Sequence, residues 1–353
     1  MVIQDHFYQE IDTTLRDFEC ILKTLHRQNP EQRLAQPHHL DEISDILTEA
    51  SRHRSDEFID MLLKKRLDEK IFFSRNANVE IYHHFRYLPA YWHSHNFIEI
   101  ACVIQGSCVN CIADQELVME IGDICIIAPG TVHAISAFSD ECMMLNFIIR
   151  TSTFEDTFFG VLSENDVLSD FFMRMLYQKH SKSYLMFRAG NDPEILNFIG
   201  YAWQEFWSNR QYKDRMLNSI INALFISILR NHGTDFVSPE SRSRQEDENT
   251  ILILKYIQEH YNTVTLSELA SFFNYSERQI QRIIKAGTGM SFSQNIQKLK
   301  LRQTIRLMQN SDLSIAAISE ELGYSAPENF RHIFKKYYGM TPAEYRSASP
   351  AAN

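Results

Sequence analysis

The tightest grouping of chemically capable side chains is His93-Ser94-His95, followed by Glu99, with His133 farther along the chain. Alternation along an extended strand would bring His93 and His95 to one face. Joined by Glu99 and His133, they would offer three imidazoles and a carboxylate, a donor set adequate for Fe, Mn, Ni or Zn. With Tyr91 and Trp92 the same residues could instead give stacking faces and polar contacts to a small molecule. Trp92 fits a plain core position equally well. The sequence carries no Ser-His-Asp arrangement and no glycine-rich phosphate loop. Cys108-Val109-Asn110-Cys111 has redox or zinc spacing, but no second pair accompanies it. The six cysteines fall mostly in apolar, strand-like segments and read as buried free thiols.

A second chemistry stands near the C-terminus, in an internal repeat. Residues 269–276 match 318–325 at an offset of 49, and after one inserted residue 280–285 match 330–335, each followed by Gly-Met. Each copy reads as helix, tight turn, helix. Thr265…Glu268, Ser276…Gln279 and Ser325…Glu328 have capping-box spacing, and Asn274 and Gly323 stand where the turn needs a left-handed backbone. In a helix-turn-helix the second helix enters the major groove. Ile280, Ile283 and Ile284 form the inward stripe of the first such helix, which points Arg278, Gln281, Arg282 and Lys285 outward. Phe330, Ile333 and Phe334 do the same for the second, leaving Glu328, Asn329, Arg331, His332 and Lys335 free to face DNA. Arg suits guanine edges and Asn or Gln suits adenine edges. Lys285, Lys335 and Lys336 suit phosphate. Residues 292–309 read as one connecting helix whose apolar side is Ile296, Leu299, Ile305 and Leu307. Its span of roughly 27 Å is near the roughly 34 Å between major-groove faces one turn apart.

Other elements must position these residues. Helical periodicity runs through much of residues 1–75, and short β-branched runs with turn residues between them occupy 76–150. The expected strands are 97–104, 108–112, 124–127 and 144–149. Helical spacing returns over 151–233, with 170–180 and 193–231 too rich in Leu, Ile, Phe, Met and Trp for one free face. A polar, breaker-rich stretch, 234–249, reads as a linker. The expected fold is therefore multidomain α+β: a β-barrel flanked by helices, then an all-α tandem helix-turn-helix domain over 250–346.

Residues 250–346 resemble the DNA-binding region of AraC/XylS-type regulators. The resemblance rests on Gly323-Tyr324-Ser325, Asn329 through Lys336, and Gly339-Met340-Thr341-Pro342-Ala343-Glu344-Tyr345-Arg346. Asn274, Lys300 and Thr304 depart from the residues usual there. The resemblance implies binding to promoter DNA, usually as a homodimer, and activation through RNA polymerase more often than repression. His93-x-His95, Glu99 and Gly106 also resemble the first cupin motif, and Gly122-Asp123, Pro129-Gly130 and His133 the second. Sensory domains of AraC-type regulators often keep these motifs without metal. An effector pocket without cofactor is therefore expected, holding a small molecule such as a sugar on Tyr91, Trp92, His93, His95, Glu99 and His133. The alternative is a metal-dependent cupin enzyme fused to a DNA-binding domain, its metal on His93, His95, Glu99 and His133.

Charge agrees with nucleic acid at one end. The whole chain carries −10, yet residues 250–346 hold 12 Lys+Arg against 8 Asp+Glu, a balance of +4, which leaves −14 on the rest. No basic, apolar leader opens the sequence, and the most apolar stretch, 220–229, is far shorter than the roughly 20 residues a bilayer needs. A cytoplasmic, membrane-free protein is expected.

Overall fold

The computed structural model describes residues 13–29, 32–52, 64, 66–73, 77–112, 114–151, 154, 167–168, 171–172, 175, 183–239, 244–311, 313–324 and 326–348. The chain divides into two compact units, the first reaching Ser241 and the second running from Arg242 to Asn353.

The first unit is built on two antiparallel sheets. One has six strands in the order β11-β10-β7-β4-β9-β2: β2 (Val79–His83), β4 (Ile98–Gln105), β7 (Ile124–Ile127), β9 (Met143–Ile149), β10 (Tyr184–Phe187) and β11 (Phe236–Val237). The other has the order β6-β5-β8, from β5 (Ser107–Ile112), β6 (Gln115–Glu120) and β8 (His133–Ser136). A short parallel pair joins β1 (Arg66–Leu67) to β3 (Ser94–His95). β4 is apolar along nearly its whole length because both its faces are covered. Ala101 and Val103 look inward, packing with Cys125, Met144, Ile112 and Ile135 between the sheets. Ile100 and Cys102 face the other way, onto Trp203, Leu217, Ile221 and Phe225 of two helices.

Those helices are the pair expected over 193–231. The first runs from Pro193 to Trp207, its start fixed by Asp192, whose side chain accepts from the Glu194 amide, and by Pro193 in the first turn. The second is Lys213–His232. Two N-terminal helices, α1 (Thr13–Gln28) and α2 (Leu40–Ala50), precede the short α3 (Glu69–Phe72), which makes the later pair α4 and α5. Phe18, Leu22, Ile43 and Leu47 of α1 and α2 pack on Tyr87, Leu88 and Tyr91, the segment that leads into β3. The helices before the barrel thus form a lid of buried side chains on it, a role the sequence left blank.

Two expected boundaries move. The sheet does not close within 76–150, because β10 and β11 add Met186↔Val237 and Phe187↔Phe236 pairs to its far edge. Residues 236–237 consequently belong to the sensor and not to a linker, and the helix that opens the second unit, α6 (Arg244–Glu259), already begins inside 234–249. β10 was hidden in a stretch read as helical because its four residues, Tyr-Leu-Met-Phe, are fully buried and show no alternation. Most of the expected helix at 170–180 lies outside the described residues.

The second unit continues with α7 (Leu266–Phe272), α8 (Glu277–Thr288), α9 (Phe292–Asn310), α10 (Ile315–Glu321), α11 (Pro327–Tyr338) and α12 (Pro342–Ala348). Asn274 and Gly323 have φ of 56° and 68°, as the two turns require. Ser276 and Gln279 form the reciprocal capping box, and the Thr265 hydroxyl accepts from the Glu268 amide. The third expected cap rests on Ser325, which lies outside the described residues; α11 itself has Ala326 at its N-cap without a side-chain bond, and Pro327 sets the first turn. α9 packs against α8 on one side and α10 on the other. Its most buried positions are Asn295, Leu301, Thr304 and Met308, whereas Ile296, Leu299, Ile305 and Leu307 are half-buried. A helix clasped from two sides has no single apolar stripe, which is why the periodicity marked its flanks.

Candidate functional site

The histidine cluster forms as the alternation required. His93 and His133 exchange both main-chain hydrogen bonds at 3.0 Å, and their rings lie 4.3 Å apart. His95, on β3, stacks its ring on Phe97 at 4.5 Å and reaches Glu99 Oε2 with Nε2 at 3.1 Å. His133 Nε2 lies 3.5 Å from the same oxygen. The donor atoms of His93, Glu99 and His133 lie within 4.8 Å of one another.

The far nitrogen of each ring explains the electrostatics. Nδ1 faces a main-chain carbonyl in every case: Tyr91 O at 3.0 Å from His93, Phe97 O at 2.7 Å from His95 and Thr131 O at 3.3 Å from His133. A neutral imidazole has one N–H, and here it donates to that carbonyl. Nε2 is then a lone pair, and those of His95 and His133 meet the Glu99 carboxylate without the alignment of a hydrogen bond. Two electron-rich groups face to face call for a cation between them, a proton or a metal. The residues therefore fit a divalent ion. Burial drives His93 down to about 3, helped by His133 beside it. Burial alone would raise Glu99; where the cation is a proton on Nε2 of His133 and His95, hydrogen bonding and charge from these rings outweigh burial and hold the carboxyl well below its usual range.

Beside this cluster opens a cavity of about 460 Å³, within the roughly 300–1,000 Å³ of small-molecule sites. Tyr91, His93 and Glu99 line it; His95 and His133 stand behind Glu99, outside the wall. Trp92 is elsewhere, packed on Ala90, Cys111 and Ala134, so its core reading holds and its effector contact does not. Sequence reasoning missed most of the wall: Phe72, Phe97, Ile148, Trp203, Phe206 and Trp207 are the large apolar faces. It also missed two polar residues, His84 and Asn146. Tyr82 pairs with Asn146 and Ala101 pairs with Asn146 on the other side, while His84 donates its amide to Met144 O. Paired residues share a face and successive ones alternate, so His84, Asn146 and Glu99 share one face of β2, β9 and β4. His84 Nε2 and Asn146 Oδ1 are buried without a hydrogen-bond partner, at a cost of roughly 1–3 kcal/mol each until something supplies one. Asn146 could have been suspected, since it breaks the apolar run Met-Met-Leu-Asn-Phe-Ile-Ile of β9.

In the second unit, the outward positions are outward. Arg278, Gln281, Arg282 and Lys285 are exposed on α8 while Ile280 and Ile284 are buried. Glu328, Asn329, Arg331, His332, Lys335 and Lys336 are exposed on α11 over buried Phe330 and Phe334. Gly289 and Gly339 end the two helices in left-handed conformation, repeating the same stop. No helix of the described residues is long and apolar enough to cross a membrane.

Comparison with known proteins agrees with both halves. Residues 79–179 match the model of an AraC-like ligand binding domain, and residues 269–348 match that of a helix-turn-helix domain. The uncharacterized HTH-type transcriptional regulator YfiF of Bacillus subtilis (strain 168) is 24% identical over 258 residues, covering 72% of this chain and 78% of the relative. The probable transcription factor PqrA of Proteus vulgaris is 30% identical over 97 residues, covering 27% of this chain and 80% of the relative. The structure of ToxT from Vibrio cholerae aligns at 15% identity and a TM-score of 0.33, over 77% of this chain and 98% of that one. Two sheets carrying a ligand cavity, followed by a doubled helix-turn-helix, make this chain a member of the AraC family of transcriptional regulators.

Proposed function

We propose that the protein reads promoter DNA with α8 and α11 and that occupancy of the cavity in the first unit controls this reading. The observation that carries the first part is the repeated division of the two helices, apolar residues buried and Arg278, Gln281, Arg282, Asn329, Arg331 and His332 exposed. α8 presents two arginines where α11 presents Glu328 and His332, so α8 supplies more of the base-specific affinity. Lys285, Lys335 and Lys336 hold phosphates. The 19 residues of α9 span roughly 28 Å at 1.5 Å per residue, which suits two entries into successive major grooves. Selection of bound sequences from a random duplex pool tests this. Two conserved half-sites about one helical turn apart are expected, and sequence-indifferent recovery would contradict the reading.

The same reading includes a homodimer and activation through RNA polymerase. Tyr201 and Met216 on α4 and α5 are more than half exposed, which supports a self-association face on these helices. Sedimentation of the full chain and of a Tyr201→Glu/Met216→Glu variant at micromolar concentration tests the dimer: loss of a wild-type dimer in the variant supports it, and a monomeric wild type removes it. Transcription in vitro from a selected site, with and without the protein, tests activation.

A second reading of the sensor is favoured by the three imidazoles whose Nδ1 atoms are committed to carbonyls. His93, Glu99 and His133, with His95 beside them, would hold a divalent metal. Bound there, it would neutralise Glu99 and act as a Lewis acid toward an oxygen of the ligand. Metal analysis of untagged protein and of His93→Ala/His133→Ala decides this, stoichiometric metal lost in the variant being the supporting result.

A further inference from the structure

The cavity reaches both faces of one strand. Ile81, Tyr82, His83 and His84, successive along β2 and its exit, all line it. Side chains of a strand alternate between the two faces of its sheet. On one face Ile81 packs in the cluster that holds Trp203 and Phe206. On the other, Tyr82 lies opposite Asn146, and Phe72 and Phe97 meet at 5.6 Å beside Ile148. One cavity touches both faces only by passing round a free edge, and β2 is the last strand of its six-stranded sheet.

That edge carries main-chain groups without partners. His84 N–H donates to Met144 O and Arg150 N–H to Asn78 O, so in the β2–β9 register the even-numbered residues bond β9. In an antiparallel ladder the main-chain groups of the residues between them point the other way. The N–H and C=O of Ile81 and His83 therefore face the free edge, and no main-chain group among the described residues bonds them there. Ile81 is 1% exposed. The His83 side chain is 6% exposed while the residue as a whole is intermediate, so the part that reaches open space is main chain. Backbone groups left unpaired in such a place are costly, and a second extended backbone satisfies them in register. Phe72 and Trp207 flank the edge, and the β2 of a second copy, flanked alike, would meet them first.

We propose, on the reading of the cavity as effector site, that the effector is a short extended peptide that adds to the free edge of β2. Its main chain bonds Ile81 and His83, and its alternating side chains enter two sockets, Trp203 and Trp207 on one face, Phe72 and Phe97 on the other. Both sockets are aromatic, so consecutive residues of the peptide are apolar, as in a strand covered on both faces.

A pooled library of acetylated tetrapeptide amides built from Val, Leu, Ile and Phe, offered to the full chain, tests this, with retained members read by mass spectrometry. The tightest member is then made in two forms, N-methylated on one or the other set of alternate amides, and titrated by tryptophan fluorescence. Only one set faces β2. One form should therefore bind like the parent, and the other at least about tenfold more weakly for its lost donors. Hydrogen exchange at the Ile81 and His83 amides should slow when the parent peptide binds. Two methylated forms that bind alike overturn the edge pairing. Slowed exchange on raising protein concentration alone gives the edge to a second copy and overturns it too. Saturable binding of 4-cyclohexylphenol with no peptide retained overturns the peptide class and leaves the cavity as effector site intact. Binding of neither overturns both.

Discussion

Glu19 of α1 takes three donors from a single residue, Arg86: the main-chain amide at 2.8 Å, Nε at 3.0 Å and Nη2 at 2.7 Å. Arg86 also donates through Nη1 to Asp140 O at 2.7 Å, and Lys23 of α1 pairs with the Asp140 carboxylate. The segment thus clamped ends in Tyr91 and His93, two walls of the cavity. On Glu19 itself, His83 Nδ1 lies 3.7 Å from Oε1. The N-terminal helices are therefore held to the strand and loop that line the cavity.

Breaking this clamp should destabilise the sensor. The Glu19 side chain is buried and the Arg86 side chain mostly so. Arg86→Ala leaves Glu19 with an uncompensated charge, and a loss of about 2–3 kcal/mol in urea unfolding is expected. A loss below about 0.5 kcal/mol would place the pair among ordinary surface contacts.

Gly122 and Gly130 offer a controlled comparison of backbone strain against crowding. Their φ angles are nearly equal, 83° and 81°. A Cβ on Gly122 would stand 1.5 Å from Gly190 O, whereas one on Gly130 meets nothing within 4 Å. Gly130→Ala should cost about 1–2 kcal/mol for the left-handed conformation alone. Gly122→Ala adds a main-chain clash and should cost at least about 4 kcal/mol or prevent folding. Equal melting temperatures for the two variants would contradict the crossing of β10 and the turn before β7.

His84 should make the first unit acid-labile. Burial pushes it down to about 4, against the pull of Glu99 and Glu19 and with the push of His83 and His133. The folded state thus prefers the neutral ring. Its contribution is complete above the unfolded value of roughly 6.5 and is lost as pH falls toward 4. At pH 4.5 about 2–3 kcal/mol should be missing relative to pH 7.5. His84→Leu should remove that part of the pH dependence, and an unchanged profile would show the ring to be reached by water.

How much was legible depended on local signals. The doubled helix-turn-helix could be read through caps, left-handed turns and exposed polar positions, because helix ends and turns are set by residues three or four apart. His93, His95, Glu99 and His133 were legible because strand alternation and motif spacing bring them together. The cavity was not. Its walls come from α3, β2, β4, β9 and α4, segments more than a hundred residues apart, and Trp203 and Phe206 look like ordinary core residues in their own helix. β10 was likewise silent, since a strand buried on both faces has no alternation to see.

The claim at the centre is that α8 reads bases. Arg282 is exposed there, one turn after the Ser276–Gln279 cap. Binding of the full chain and of Arg282→Ala to a selected site and to each of its single-base variants measures this directly. A loss of roughly 1–3 kcal/mol on the selected site, together with relaxed preference at one base pair, is the expected result. Undiminished affinity with the base preference intact would contradict the account.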